Sequence, residues 1–471
     1  MTTNILATLN LARQGMMVSQ IGIDLTGHNT ANVNTEGYSR RRMSVVSRMS
    51  VLGGGADVTG IKRYTDDFAT ERLVHEQTLQ GYADKRGEIL SHISDLFNDL
   101  ENNNLGSALD AFYGSFRLLE SNPNDLTIRQ EVLARTEELA QAFNRISSEL
   151  NTVSKNTDGL LRASASEINV RTEELTALNE EVVLAKVEGK DTSDILDRRE
   201  QLIREMSEHG DISYIEQDNG QITVFLEGGL PLVEGNNRAV LEVRDDFALG
   251  AQVYYTTKSS EMNITSKIDG GAMGGILETR QVTLPAIIND LDQLAYDIVN
   301  AYNNGDGTGT NGHANGYGLD GVTGRNLFTP LGGVAGAAEL MSIDPSVYGN
   351  PEAIAAAFDP AADMLPGDNR NALFLASLAD EDYATGGTQT FNEAYSTIVG
   401  DVGVATRRAE SEAEMRSSAI TRIENIRDSA AAVSLDEEMT NLVQYQRAYQ
   451  ASARVLDTVT TVLDTILGLG K

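Results

Sequence analysis

Few residues of this chain are spaced for chemistry, and each such group lacks a member it needs. His75-Glu76 begins a zinc-protease pattern, in which two histidines one helical turn apart hold the metal, but Leu79 occupies the second ligand position. Gly307-Thr308-Gly309-Thr310-Asn311-Gly312 matches a dinucleotide fingerprint in letters. That motif needs a strand before it and a helix directly after; here a helical pattern precedes it and more loop follows. The loop around Asp306 resembles a calcium loop, yet Asn315 stands at the twelfth position of a loop counted from Asn304, where a bidentate Glu is needed. His28, His92, His209 and His313 are scattered without paired spacing. With no Cys, a disulfide scaffold, a thiolate metal site and a Cys nucleophile are excluded. No G-x-S-x-G elbow and no phosphate-binding G-x-x-x-x-G-K-[ST] loop occurs, and acidic pairs are too common to nominate a glycosidase. The expectation is a protein that is not an enzyme, with no catalytic residue, cofactor or metal.

The informative spacing is apolar and lies at the two ends. Leu435, Met439, Leu442, Gln446, Tyr449, Ala453, Leu456, Thr460, Leu463 and Leu467 alternate four- and three-residue steps, the rhythm of a coiled-coil seam. Val443, Val455, Val459, Val462 and Ile466 line a neighbouring face, so this helix has more than one face to bury. At about 1.5 Å per residue it reaches roughly 55 Å, beyond the width of a small domain. Ile5, Leu9, Ala12, Met16, Ser19 and Ile23 repeat the rhythm at the other end. The two ends are therefore expected to pair and to complete their burial against other subunits.

Composition agrees with assembly. The 37 Lys and Arg against 69 Asp and Glu give a formal charge of −32, which repels nucleic acid and anionic membranes and keeps a self-associating subunit soluble. The charge is uneven: Arg13, Arg40, Arg41, Arg42, Arg48, Lys62 and Arg63 make a basic start on an acidic body, available to an acidic neighbouring surface. No run of about 20 apolar residues could span a membrane. The first residues lack the continuous apolar core of a secretory signal, being interrupted by Asn4, Asn10, Arg13 and Gln14.

A chain of 471 residues exceeds one core. After the first helix, Asn and Gly cluster from Gly27 to Arg42 and stop it. Helical seams follow through Leu79 to Leu100, Val132 to Val153, and Leu175 to Ala185, with a pause at Glu188-Gly189-Lys190-Asp191 before Ile195 to Met206. The period then becomes alternating around Asp218-Asn219-Gly220, a hairpin signal, and the β pattern closes at Gly270 to Gly275. A helix follows Pro285, residues 303–390 are weakly patterned, and helical character returns from Phe391. The expected fold is mainly α with inserted β: residues 1–33 with 431–471 as a terminal coiled-coil domain, 34–208 with 276–302 and 391–430 as a helical bundle, 209–275 as a small β region, and 303–390 as an outer β or mixed subdomain.

Particular stretches bring a family into view. Ala31-Asn32-Val33-Asn34-Thr35-Glu36-Gly37-Tyr38-Ser39-Arg40 resembles the signature of flagellar rod, hook and hook-associated proteins, with Glu36 where the family usually has Pro. Asn122-Pro123 with Arg129-Gln130, Ile195 to Leu202, Gly270-Gly271 with Gly274 to Arg280, and Gly367 to Ala372 are similar to the hook-associated protein 1 family. So is Ser434 to Met439 through Gln444 to Val455. The resemblance implies a non-enzymatic subunit of the hook-filament junction of the bacterial flagellum, secreted through the flagellar type III apparatus. Its implied partners are its own copies in a layer, hook protein below, hook-associated protein 3 above, and an export chaperone on the C-terminal helix. Alternatives are another axial subunit, of hook or rod, and a secreted hydrolase using the same route. The residues expected at subunit interfaces are Ile5, Leu9, Ala12, Met16, Ile23, Asn32, Asn34, Gly37, Tyr38, Leu435, Met439, Leu442, Tyr449, Leu456, Val459, Leu463 and Ile466.

Overall fold

The computed structural model describes all of the chain except Met1, Glu36, Ala248, Thr308 and residues 49–54, 98–104, 360–366 and 470–471. Its first and last helices, α1 (Thr2–Ala31) and α11 (Leu435–Leu469), lie side by side. Gly15 faces Ser452, Gly22 faces Tyr445 and Asn29 reaches Glu438, so the helices run antiparallel, with matched residues seven apart on each. The chain leaves α1 through the Asn32 to Ser39 loop into a hairpin of β1 (Arg41–Arg48) and β2 (Gly55–Arg63), whose register pairs Arg41 with Arg63.

The body is a bundle built from α2 (Asp67–Leu96), α3 (Leu105–Ser121), α4 (Leu126–Glu188), α5 (Ser193–Ser207), α6 (Gly271–Glu278), α7 (Leu284–Asn304) and α10 (Phe391–Ala431). Helix α4 corrects the expectation of two helices between Val132 and Ala185: it is continuous over 63 residues. Its seam never loses phase, and Gly159, the one glycine within it, has open space where a side chain would project. It stops where the pause was placed, with Gly189 at φ 68 receiving the left-handed turn of a helix C-cap. One large apolar core runs through the bundle and includes the clustered rings of Phe112, Tyr113, Phe116, Tyr302 and Phe328, and a small separate cluster of Ala69, Leu73 and Ile423 joins α2 to α10.

Between α5 and α6 the chain forms two small antiparallel sheets. One is ordered β3 (Ile212–Glu216), β4 (Ile222–Leu226), β5 (Leu230–Glu234), β6 (Asn237–Arg238); the other β7 (Val240–Asp246), β8 (Gly250–Thr256), β9 (Glu261–Asn263). Gly220, at φ 90, makes the β3–β4 turn at the expected Asp-Asn-Gly. The glycines at 270 to 275 do more than close the sheets: α6 starts among them and continues into α7 through a π-helical turn at Thr279–Thr283, ahead of Pro285. A Cβ on Gly275 would stand 2.4 Å from the Tyr82 carbonyl, so this glycine permits the approach of α6 to α2.

Residues 303–390 differ from a β subdomain. Among the described residues they hold the short helices α8 (Ala337–Leu340) and α9 (Arg370–Ser377) and isolated bridges such as Phe328 with Ile343, and their apolar residues join the bundle core. Polar side chains tie these loops to helices in place of strand ladders. Arg129 of α4, fully buried, donates to the carbonyls of Pro123 and Ile354. His313, also buried, contacts the Arg325 carbonyl through Nδ1, and its Nε2 accepts the Ala355 N–H. No helix of the described residues is long and apolar enough to cross a membrane.

Candidate functional site

The terminal helices meet through small residues. Ala12, Gly15, Ser19, Gly22, Thr26 and Asn29 make the inward row of α1, and α11 fits against it with Ser452 and Tyr445 over the two glycines. A Cβ on Gly22 would stand 2.7 Å from the Tyr445 ring. The hydroxyls of Ser19 and Thr26 return to the carbonyls of Gly15 and Gly22, which leaves the contact free of unsatisfied donors there.

Where the pair joins the body, polar groups take over. Asn29 is buried and uses its whole side chain: Nδ2 donates to the Arg41 carbonyl and to Glu438, while Oδ1 accepts from the Arg41 N–H and the Tyr38 hydroxyl. Arg40 donates to Glu438 at 2.8 Å and to Glu437 at 2.5 Å, both in the first turn of α11. Arg41, stacked 5.0 Å from the Tyr38 ring centre, turns the other way and pairs with Asp194 and Asp191 at the start of α5. Arg63 on the paired strand reaches Asp197 at 2.7 Å and Glu200 at 2.6 Å. One loop therefore sends consecutive arginines to different bodies, Arg40 to the terminal pair and Arg41 to the bundle. Burial pushes the Asp197 carboxyl up despite Arg63 and Arg41, and burial raises the Tyr38 hydroxyl to about 12, so Tyr38 stays a donor. The Arg40 N–H to Ala431 carbonyl bond, at 3.0 Å, fixes the end of α10 to the same loop.

The expected interface residues divide. Ala12 is buried, and Ile5, Leu9, Met16 and Ile23 are half-buried along α1. Leu442, Tyr449, Leu456, Val459 and Leu463 are half-buried against it, so the seam of α11 is Glu438, Leu442, Tyr445, Tyr449, Ser452, Leu456, Val459 and Leu463. Every second position is one residue earlier than the apolar letters suggest, because Glu438, Tyr445 and Ser452 replace Met439, Gln446 and Ala453. Val459 lies on this seam and not on the neighbouring face. Leu435 and Met439 are turned to solvent, 48% and 57% exposed; Met439 and Val443 are open on one flank of the seam, and Val455 and Val462 on the other. Leu6, Leu11 and Met17 are similarly open on α1. The side chains of Ile466 and Leu467 lie outside the described residues. Asn32 and Asn34 cap and turn the chain, Asn32 accepting from the Thr35 hydroxyl, and Gly37 takes φ 79 beside α5. Asn29 and Glu438 are not among the expected residues; the signal for them is the seven-residue spacing of Gly15, Gly22 and Asn29 against Ser452, Tyr445 and Glu438.

Two matches to family models fall on these parts. Residues 90–328 match the flagellar hook-associated protein FlgK helical domain, and residues 427–469 match the C-terminal region of the flagellar basal body rod FlgEFG proteins. This chain belongs to the FlgK hook-associated family. Relatives named flagellar hook-associated protein 1 align along almost the whole chain. The Bacillus subtilis (strain 168) protein is 26% identical, with 98% of each chain covered. That of Salmonella typhimurium is 24% identical, with 98% of this chain and 99% of the relative covered. The solved hook junction protein FlgK from Burkholderia pseudomallei shares the fold, with a TM-score of 0.66 at 15% identity, over 77% of this chain and 100% of that one. The FlgK family is a structural family of the flagellum, and the match at residues 427–469 covers α11. Among the described residues, no group of three His, Cys, Asp or Glu side chains is placed to hold a metal ion, and His75 sits exposed on α2 beside a Glu76 paired with Arg416.

Proposed function

We propose that this chain is the subunit of the layer joining hook to filament, assembled from its own copies, with hook protein below and hook-associated protein 3 above. The terminal pair, residues 1–33 with 431–471, forms the inner wall, and the bundle with its β insertions forms the outer shell. The observation that carries this is the antiparallel pair α1 and α11, which covers one face of each helix and leaves Met439 and Val443 uncovered on one flank of α11 and Val455 and Val462 on the other. Burying each such side chain is worth roughly 1.5 to 3 kcal/mol, a gain that neighbouring copies supply. Full-length similarity to hook-associated protein 1 supports the hook-filament boundary over the hook or rod. Export uses the flagellar type III apparatus without cleavage, and a chaperone covers these side chains of α11 before export. The test is imaging of a tagged copy on intact flagella. A single band at the hook tip is expected; label along the hook, or none on the flagellum, would overturn the reading. Deleting Thr461 to Lys471 should leave a soluble folded body that no longer joins the structure.

A further inference from the structure

Helices α10 and α11 follow each other with only Ala432, Val433 and Ser434 between them. The start of α11 is written in the sequence. Ser434 stands at its N-cap, with its carbonyl accepting the Glu438 N–H at 2.9 Å, and Asp436, Glu437 and Glu438 put negative charge in the first turn, where the helix dipole favours it. The end of α10 is not. Helices stop at Gly or Asn, ahead of Pro, or on basic residues, whereas this stretch reads Asp428-Ser429-Ala430-Ala431-Ala432-Val433, with acid in the last turn and three alanines, the best helix former, at the break. A tertiary contact supplies the stop. The Ala431 carbonyl accepts the Arg40 N–H at 3.0 Å, and Ala432 leaves the helix at ψ 152. The Arg40 side chain, paired with Glu437 and Glu438, keeps its backbone at that place. In an uninterrupted helix the same carbonyl would take the Leu435 N–H, four residues on, so the loop and a continuing helix compete for it.

We propose that the break between α10 and α11 is a latch, bent while Arg40 holds it and straight, as one helix from Phe391 to Leu469, once Arg40 is released. Straightening pairs the N–H groups of Val433 to Glu437 within the helix. It swings the terminal helices as a unit, because the contacts of Gly15 with Ser452, Gly22 with Tyr445 and Asn29 with Glu438 all lie inside that pair. It opens no apolar core: among the described residues, neither core cluster includes a side chain of α1, β1, β2 or α11. What it breaks is polar, namely the Arg40 N–H bond and the pairs of Arg41 and Arg63 with Asp191, Asp194, Asp197 and Glu200. The latch therefore sets the direction of the terminal helices relative to the bundle. It is a property of a single copy, whatever the chain assembles into.

The chain has no cysteine, so spin labels on Thr421→Cys and Gln450→Cys, both exposed, report the distance across the break in the purified full-length protein by pulsed electron paramagnetic resonance. One continuous helix holds them about 44 Å apart at about 1.5 Å per residue, and any bend brings them closer. The native latch should give the shorter distance. Arg40→Gln with Ser434→Ala, which removes the tie and the N-cap, should move the population to about 44 Å. Adding Leu435→Pro should return it to the shorter distance, because proline suits the first residue of a helix and breaks a helix from within. A native latch already at about 44 Å, no such population in the released variant, or one that survives Leu435→Pro overturns the proposal. Amide exchange decides the case if the released variant loosens α11. Slower exchange at Val433 to Glu437 than with the native latch is expected, and equal or faster exchange overturns the proposal as well.

Discussion

Replacing Glu438 by Gln tests the joint at its most enclosed charge. Its carboxylate is buried, takes the Arg40 guanidinium on Oε1 and receives Asn29 Nδ2 at 3.2 Å on Oε2. Breaking a buried pair from one side costs about 3 to 5 kcal/mol, because the other charge is left without a partner. Here Glu437 remains 2.5 Å from Arg40, and the new amide can still accept through its oxygen while its NH2 confronts Asn29. The expected loss is about 2 to 3 kcal/mol, equivalent to about 30- to 140-fold faster opening of α11. Glu437→Gln is the internal control. Its side chain is 60% exposed, so the same change of charge should cost under about 1 kcal/mol. Hydrogen exchange along α1 and α11, read by mass spectrometry on the intact chain, reports both, and a cycle with Arg40→Gln isolates the pair. Equal effects of the two substitutions, or a coupling below about 0.5 kcal/mol, would refute the assignment of Glu438 as the tie between the helices.

Gly22→Ala places a methyl against the Tyr445 ring and should loosen the terminal pair by about 1 to 3 kcal/mol, with partial recovery on adding Tyr445→Ala; urea unfolding measures both. Gly27→Ala, which meets nothing within 4 Å, should instead stabilise by about 0.5 to 1 kcal/mol. Burial lowers the His313 imidazole to about 4, below the ordinary value near 6.5, so the unfolded chain takes up the proton first. Stability is therefore full above about pH 6.5 and falls by about 3 kcal/mol as the pH drops towards 4, and His313→Gln should flatten that slope in urea titrations across the window.

The helices were legible because their apolar rows keep phase over many turns, and the β3–β4 hairpin because Asp-Asn-Gly dictates its turn. The length of α4 was not, since loss of seam letters between Val153 and Leu175 reads as a break although Leu161, Ala165 and Ile168 carry the core through. The terminal seam was placed one residue off at alternate positions for a physical reason. A close-packed antiparallel pair selects Gly and Ser for approach and Asn with Glu for satisfaction at alternate positions, between the apolar Leu442, Tyr449, Leu456 and Leu463. Residues 303–390 were hardest: their order comes from single side chains such as Arg129, His313 and Asn303 bonding to loop carbonyls and amides, and such ties have no period. The interior stretches that resemble the family prove to hold many of these ties, including Asp368, whose carboxylate accepts from the Phe358 and Asp359 amides and from Arg370.

The central claim is that the exposed apolar side chains of α11 are covered by other copies. Met439→Cys introduces the only thiol of the chain at the middle of the exposed turn, and maleimide labelling can be followed in the purified protein and in isolated flagella. Rapid labelling of the free chain and strong protection in the flagellum are expected. Equal rates in the two states would contradict the account.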